Sequence, residues 1–122
     1  MENNLQKIAQ DIRKKFEQKQ IAQGELAQIY SAYNPAVNGM TFVVEAEKLF
    51  PRLNCGLTTA YLQKILGGEI VQGRFKDWNH TYLLVDGFVV DITADQYGGP
   101  KVYVGEWKFP WTRRNFEAIT AE

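Results

Sequence analysis

Two apolar runs, Tyr82–Val85 and Phe88–Val90, flank the dipeptide Asp86-Gly87, and no other stretch so narrows what the chain can become. Asp-Gly between apolar segments is the signature of a two-residue type I′ hairpin, whose two central residues need positive φ. With that turn, Val85 pairs with Phe88, Leu84 with Val89, Leu83 with Val90, Tyr82 with Asp91, Thr81 with Ile92 and His80 with Thr93. Directly opposed residues share a face, and every second residue returns to it. His80, Tyr82, Leu84, Val89, Asp91 and Thr93 therefore lie on one side. His80 and Asp91 become diagonal neighbours with Cα atoms roughly 7–8 Å apart, a gap their side chains can close.

Around this hairpin the first half of the chain has helical periodicity and the second half strand character. Leu5, Ile8, Ala9, Ile12 and Phe16 form one stripe, with Arg13, Lys14, Lys15 and Glu17 assigned to the solvent side. Gly24 allows a break, and Leu26, Ile29, Tyr30 and Tyr33 continue the spacing until Asn34-Pro35 ends it. Residues 34–40 read as a loop. Thr41–Phe50 suits a short helix stopped by Pro51, although TFVV would also suit a strand. Asn54 is placed to cap a helix that starts at Cys55 and ends at Gly67, with Leu57, Ala60, Tyr61, Leu62, Ile65 and Leu66 covering most of its circumference. Thereafter EIVQGRF, HTYLLV, FVVDIT and KVYVGE are rich in β-branched and aromatic residues. The expected architecture is one α+β domain over residues 1–122: N-terminal helices and a central Cys-headed helix on an antiparallel sheet of about four strands. The aromatic start of the tail, WKFPWT, is expected to cover a sheet edge before a short terminal helix.

Composition narrows the function classes. Fourteen basic residues balance fourteen acidic ones, which removes the strong positive field of most nucleic-acid binders. The N-terminus MENNLQKIAQ lacks a basic start followed by an apolar run, and no window resembles a membrane span. A cytoplasmic protein is expected, though an exported effector would carry the same sequence. One Cys and one His fall short of a structural zinc set, and no metal or cofactor is expected.

A lone cysteine cannot form an internal disulfide, so its role lies in packing or reactivity. At a helix start and near a protonated His80, Cys55 would ionise near neutrality. Asp91 on the other ring nitrogen would set the tautomer and stabilise the imidazolium. Backbone N–H groups of the helix start, including that of Cys55, could hold an oxyanion. Asn38 and Asn54 are candidates for a further donor on residue type, while Trp78 and Gln96 are candidate substrate contacts that could equally serve packing or loop capping.

In these segments, Asn54-Cys55-Gly56 with its helix and HTYLLVDGFVVDITADQYG, the chain resembles the papain-like and transglutaminase-like thiol enzymes. It is similar to their compact bacterial members, the transglutaminase-like and glutamine deamidase-like domains. The resemblance covers residues 54–98 and implies a Cys heading a central helix, with His80 and Asp91 on successive strands. It departs from the papain pattern in the 25 positions between Cys55 and His80, and in the absence of an upstream Gln at the spacing of the papain oxyanion donor. The resemblance implies a cysteine-dependent amidohydrolase or acyl transferase working through a thioester on a protein or peptide amide: a glutamine deamidase, a peptidase or a transglutaminase. It permits a bacterial effector role. The alternative is an inactive member of the fold serving as a protein-binding module, with Trp107, Phe109 and Trp111 as the partner surface.

Overall fold

The computed structural model describes residues 2–113. Four helices precede the sheet: α1 (Glu2–Glu17), α2 (Gln23–Tyr33), α3 (Gly39–Leu49) and α4 (Cys55–Leu66). Five strands follow, β1 (Glu69–Phe75), β2 (Trp78–Val85), β3 (Phe88–Asp91), β4 (Tyr103–Glu106) and β5 (Trp111–Thr112), with a short 3-10 helix, Ala94–Tyr97, after β3. The sheet order is β4-β3-β2-β1-β5, antiparallel throughout. The architecture is α+β, as expected, but with five strands instead of about four. The extra one is β5, which pairs Trp111 with Phe75 and Thr112 with Arg74. Its approach depends on Gly73, where a Cβ would meet the Thr112 carbonyl oxygen at 2.2 Å. WKFPWT thus does cover a sheet edge; the expected terminal helix falls outside the described residues.

The central hairpin has the expected turn. Asp86 and Gly87 have φ of 51° and 84°, and Val85, Leu84 and Leu83 pair with Phe88, Val89 and Val90. The three further expected pairs are not part of that ladder. The reason is local: the Asp91 carboxylate accepts the Thr93 N–H at 3.0 Å, and the chain turns out of the sheet into the 3-10 helix.

His80 to Val85 are all buried because both faces of the sheet are covered. On one face Leu83, Val85, Val90 and Ile92 pack with residues of α1 and α4 such as Ile12, Phe16, Leu57 and Leu62. On the other, Tyr82, Leu84 and Val89 pack with Val71, Phe75, Ala94 and Trp111, flanked by Tyr97 and Tyr103. The second cover is built of aromatic rings from the 3-10 helix and the late strands, with Tyr103 stacked on Trp111 at 3.9 Å.

The helix expected over Thr41–Phe50 is present, but it runs from Gly39 to Leu49, beginning earlier because Asn38 caps it by accepting the Thr41 N–H at 2.9 Å. Two side-chain placements differ. Ile65, expected to be buried, is 48% exposed, so α4 keeps an open face. Arg13, assigned to solvent, is buried. Its guanidinium makes a two-pronged pair with Asp95 (2.8 and 2.9 Å), donates to the Ile92 carbonyl at 2.8 Å, bonds Glu17 and lies over the Phe50 ring. A helical stripe records apolar spacing and cannot show that an acidic partner 82 positions away will draw an arginine inward.

Candidate active site

Cys55 is the first residue of α4, half-buried and free. The helix is held against β2 by Thr59, whose hydroxyl donates to the Thr81 carbonyl at 3.2 Å. Gly56 lets the α2 end approach, since a Cβ there would lie 3.1 Å from the Tyr33 ring. These contacts set the thiol against β2 where His80 and Thr81 stand, and both act on it. Burial pushes the Cys55 thiol up, but the influence of His80, aided by Thr81, outweighs it, and the thiol ends below its ordinary value.

His80 is buried, and its Nε2 lies 2.6 Å from Asp91 Oδ2. Burial pulls the imidazolium down; the charge of Asp91 and its hydrogen bond, then Cys55, pull it up, and the group is pushed up to about 9. Nδ1 has no hydrogen-bond partner, which leaves it as the nitrogen available to the thiol. Asp91 Oδ2 also accepts the Trp111 Nε1–H at 2.8 Å, and Oδ1 is held by Thr93. The carboxylate is therefore fixed by three donors, one of them on the edge strand β5.

Tyr97 stands edge-on to the His80 ring at 5.4 Å, and Trp78 stacks on Tyr97 at 5.4 Å and 7°. The Tyr97 hydroxyl donates to the Asn79 carbonyl. Its pKa is raised, by burial and then by the charges of Cys55 and Asp91. Trp78, 58% exposed, thus braces the cover of His80 and does not line the cleft.

The cleft itself has a volume of about 700 Å³ and reaches Cys55, with Tyr33, Arg52, Thr81 and Gln96 in its walls. His80 is not in the lining, so a ligand meets the thiol first. Gln96 is the sequence candidate that belongs here: its Nε2 is buried with no hydrogen-bond partner. Asn38 and Asn54 do not line the cleft. Asn38 is spent on the α3 cap, and the buried Asn54 side chain donates to the Ala46 and Arg52 carbonyls at 2.9 and 2.8 Å. Asn54 also fails to cap α4 with its side chain; only its carbonyl serves the first turn, accepting from Thr58.

Sequence reasoning missed Thr81, Tyr97 and Trp111 as supports of this site. Trp111, part of the partner surface that a binding module would present, is 4% exposed because its indole packs on Phe75 and Tyr103. Trp107 and Phe109 are exposed.

Among the described residues no helix is long and apolar enough to cross a membrane, and no group of three or more His, Cys, Asp or Glu is placed to hold a metal. No curated protein and no solved structure matches the chain. A family model described as YunG protein matches residues 47–119, more than half of the chain, including Cys55, His80, Asp91 and Gln96, and the chain belongs to the YunG protein family.

Proposed function

We propose that the protein is a cysteine-dependent amide hydrolase or acyl transferase with a papain-like or transglutaminase-like core, acting on a protein or peptide amide through a thioester on Cys55. The observation that carries this reading is the buried His80, with one ring nitrogen held by Asp91 and the other unpartnered beside a thiol whose ionisation it favours. An orphaned buried ring nitrogen carries a desolvation cost of about 1–3 kcal/mol, and a thiol partner during reaction gives it a purpose.

In this mechanism the Cys55 thiolate attacks the amide carbonyl carbon, forming the C–S bond and placing the electron pair on oxygen. The oxyanion is met by the Cys55 N–H at the start of α4 and by the Gln96 side-chain amide. As the carbonyl reforms, the C–N bond breaks, and the imidazolium proton of His80 passes to the departing nitrogen. Water, or an amine, then adds to the thioester carbonyl and gives a proton back to His80. The C–S bond breaks, the acid or new amide leaves, and the thiolate–imidazolium pair is restored. Asp91 stays ionised and keeps the ring oriented.

The test has two readouts. Cys55 should be alkylated near pH 6 much faster than a free thiol, with His80→Ala removing the excess. Glutamine-bearing proteins and peptides incubated with the wild type should show side-chain deamidation, cleavage or amine incorporation by mass spectrometry, lost in Cys55→Ala. Ordinary thiol reactivity in the wild type would discard the enzyme reading in favour of a binding module.

A further inference from the structure

We infer that the cleft beside Cys55 selects an acyl donor with a negatively charged group next to the scissile carbonyl, an acidic peptide segment, and that Arg52 is the residue that selects it. The inference rests on the amide chemistry proposed for Cys55 and names the class of substrate. Among the described residues Arg52 is the only side chain of fixed charge in the wall of the cleft; beside the Cys55 thiol the polar remainder consists of neutral amides and hydroxyls, and no described carboxylate lines it. Among the described residues the Arg52 guanidinium has no hydrogen bond or ion pair, whereas Arg13 and Arg113 are each bonded to carboxylates.

A surface arginine is ordinarily a solvated charge, and two features separate this one. Its backbone is locked: the Arg52 N–H donates to the Leu49 carbonyl at 2.8 Å, and its carbonyl accepts from the buried Asn54 amide. Asn54 therefore acts on the site through Arg52 as a positioning residue. Secondly, part of the lining is aromatic, with Tyr30 stacked on Phe42 at 4.0 Å. Such rings offer no competing charge to an incoming group. A planar guanidinium three residues before the nucleophile suits a carboxylate, which it can bind through two parallel hydrogen bonds.

The experiment alkylates Cys55 in the full chain at low ionic strength with iodoacetate and iodoacetamide. Bromoacetyl-capped peptides that differ only in carrying Glu or Lys next to the cap form a second pair of probes. The quantity read is the ratio of rates, anionic over neutral and Glu over Lys, in the wild type, Arg52→Gln and Arg52→Glu. The His80 imidazolium favours anions equally in all three proteins, so the change in ratio isolates Arg52. Removing one charge at cleft distances should lower the ratio about 3- to 10-fold, and reversing it should lower it further. High salt should shrink the differences. Ratios that stay the same in both variants overturn the inference. A wild-type thiol no faster than a free one would defeat the proposed chemistry instead, while the Arg52 dependence of the ratio would still report the charge preference. A preference for iodoacetate without one for the Glu peptide would overturn the peptide class.

Discussion

Replacing Asp91 with Asn is the sharpest test of how the site is held. The carboxylate accepts from His80 Nε2, Trp111 Nε1 and the Thr93 N–H, and it is the largest influence raising the His80 imidazolium against burial. With the charge gone, burial dominates and the imidazolium falls from about 9 to below its ordinary 6.5. At about pH 7.5 the protonated fraction then drops from nearly all to a tenth or less. Cys55 loses its countercharge in turn, and burial then pushes the thiol up against the lesser help of Thr81, so its thiolate fraction falls. The iodoacetamide rate at about pH 7.5 should fall roughly 10- to 100-fold. Its pH profile should move to higher pH than that of the wild type. Rates across the pH range, with urea unfolding run in parallel, make the measurement. Asp91→Ala should lose about 2–4 kcal/mol of stability by orphaning up to three donors, and Asp91→Asn less, since it keeps an acceptor for Thr93. A folded Asp91→Asn protein with the wild-type profile, or one slowed equally at every pH, would refute the argument.

Other outcomes follow from the same geometry. Gln96→Ala should slow acylation of Cys55 by p-nitrophenyl acetate, which passes through an oxyanion, by about 10- to 100-fold, while leaving alkylation by iodoacetamide, which does not, near wild type; stopped-flow and mass spectrometry read the two. Arg13→Ala should cost about 3–5 kcal/mol in urea unfolding, because it strands Asp95 and two carbonyls that the buried guanidinium now serves. Trp111→Phe should cost about 1–2 kcal/mol by removing one donor to Asp91, and slow Cys55 alkylation by loosening the carboxylate that holds His80. His80 is raised on folding, so its share of stability is complete below about 6.5 and is lost as pH climbs through about 9. Cys55 is lowered, so its share is lost as pH falls through its folded value. Chemical unfolding across pH should therefore show stability declining on the alkaline side in the wild type and flattening there in His80→Gln.

What could be read from the chain divides by the distance over which the information acts. The His80–Asp91 contact was legible because Asp86-Gly87 sets the register of residues within a few positions of itself, and a period of two carries the face outward. The same rule failed one step further, at Tyr82 opposite Asp91, because the carboxylate that was expected to serve His80 also bonds the Thr93 N–H and bends the chain away. Asn54 and Arg13 failed for the opposite reason. Residue type named a local role, a cap and a solvated charge, while the actual partners lie across the fold at Ala46 and Asp95. Strand β5 is two residues long, too short for any periodicity, and exists because Gly73 leaves room beside β1. Yet β5 brings Trp111 to Asp91, the residue on which the local reading depended. The hairpin thus places His80 and Asp91 together, but whether the carboxylate is held for chemistry is decided at a sheet edge that no local pattern encodes. Mutations in β5 should accordingly disturb Cys55 reactivity more than equally buried changes on the helical side of the sheet.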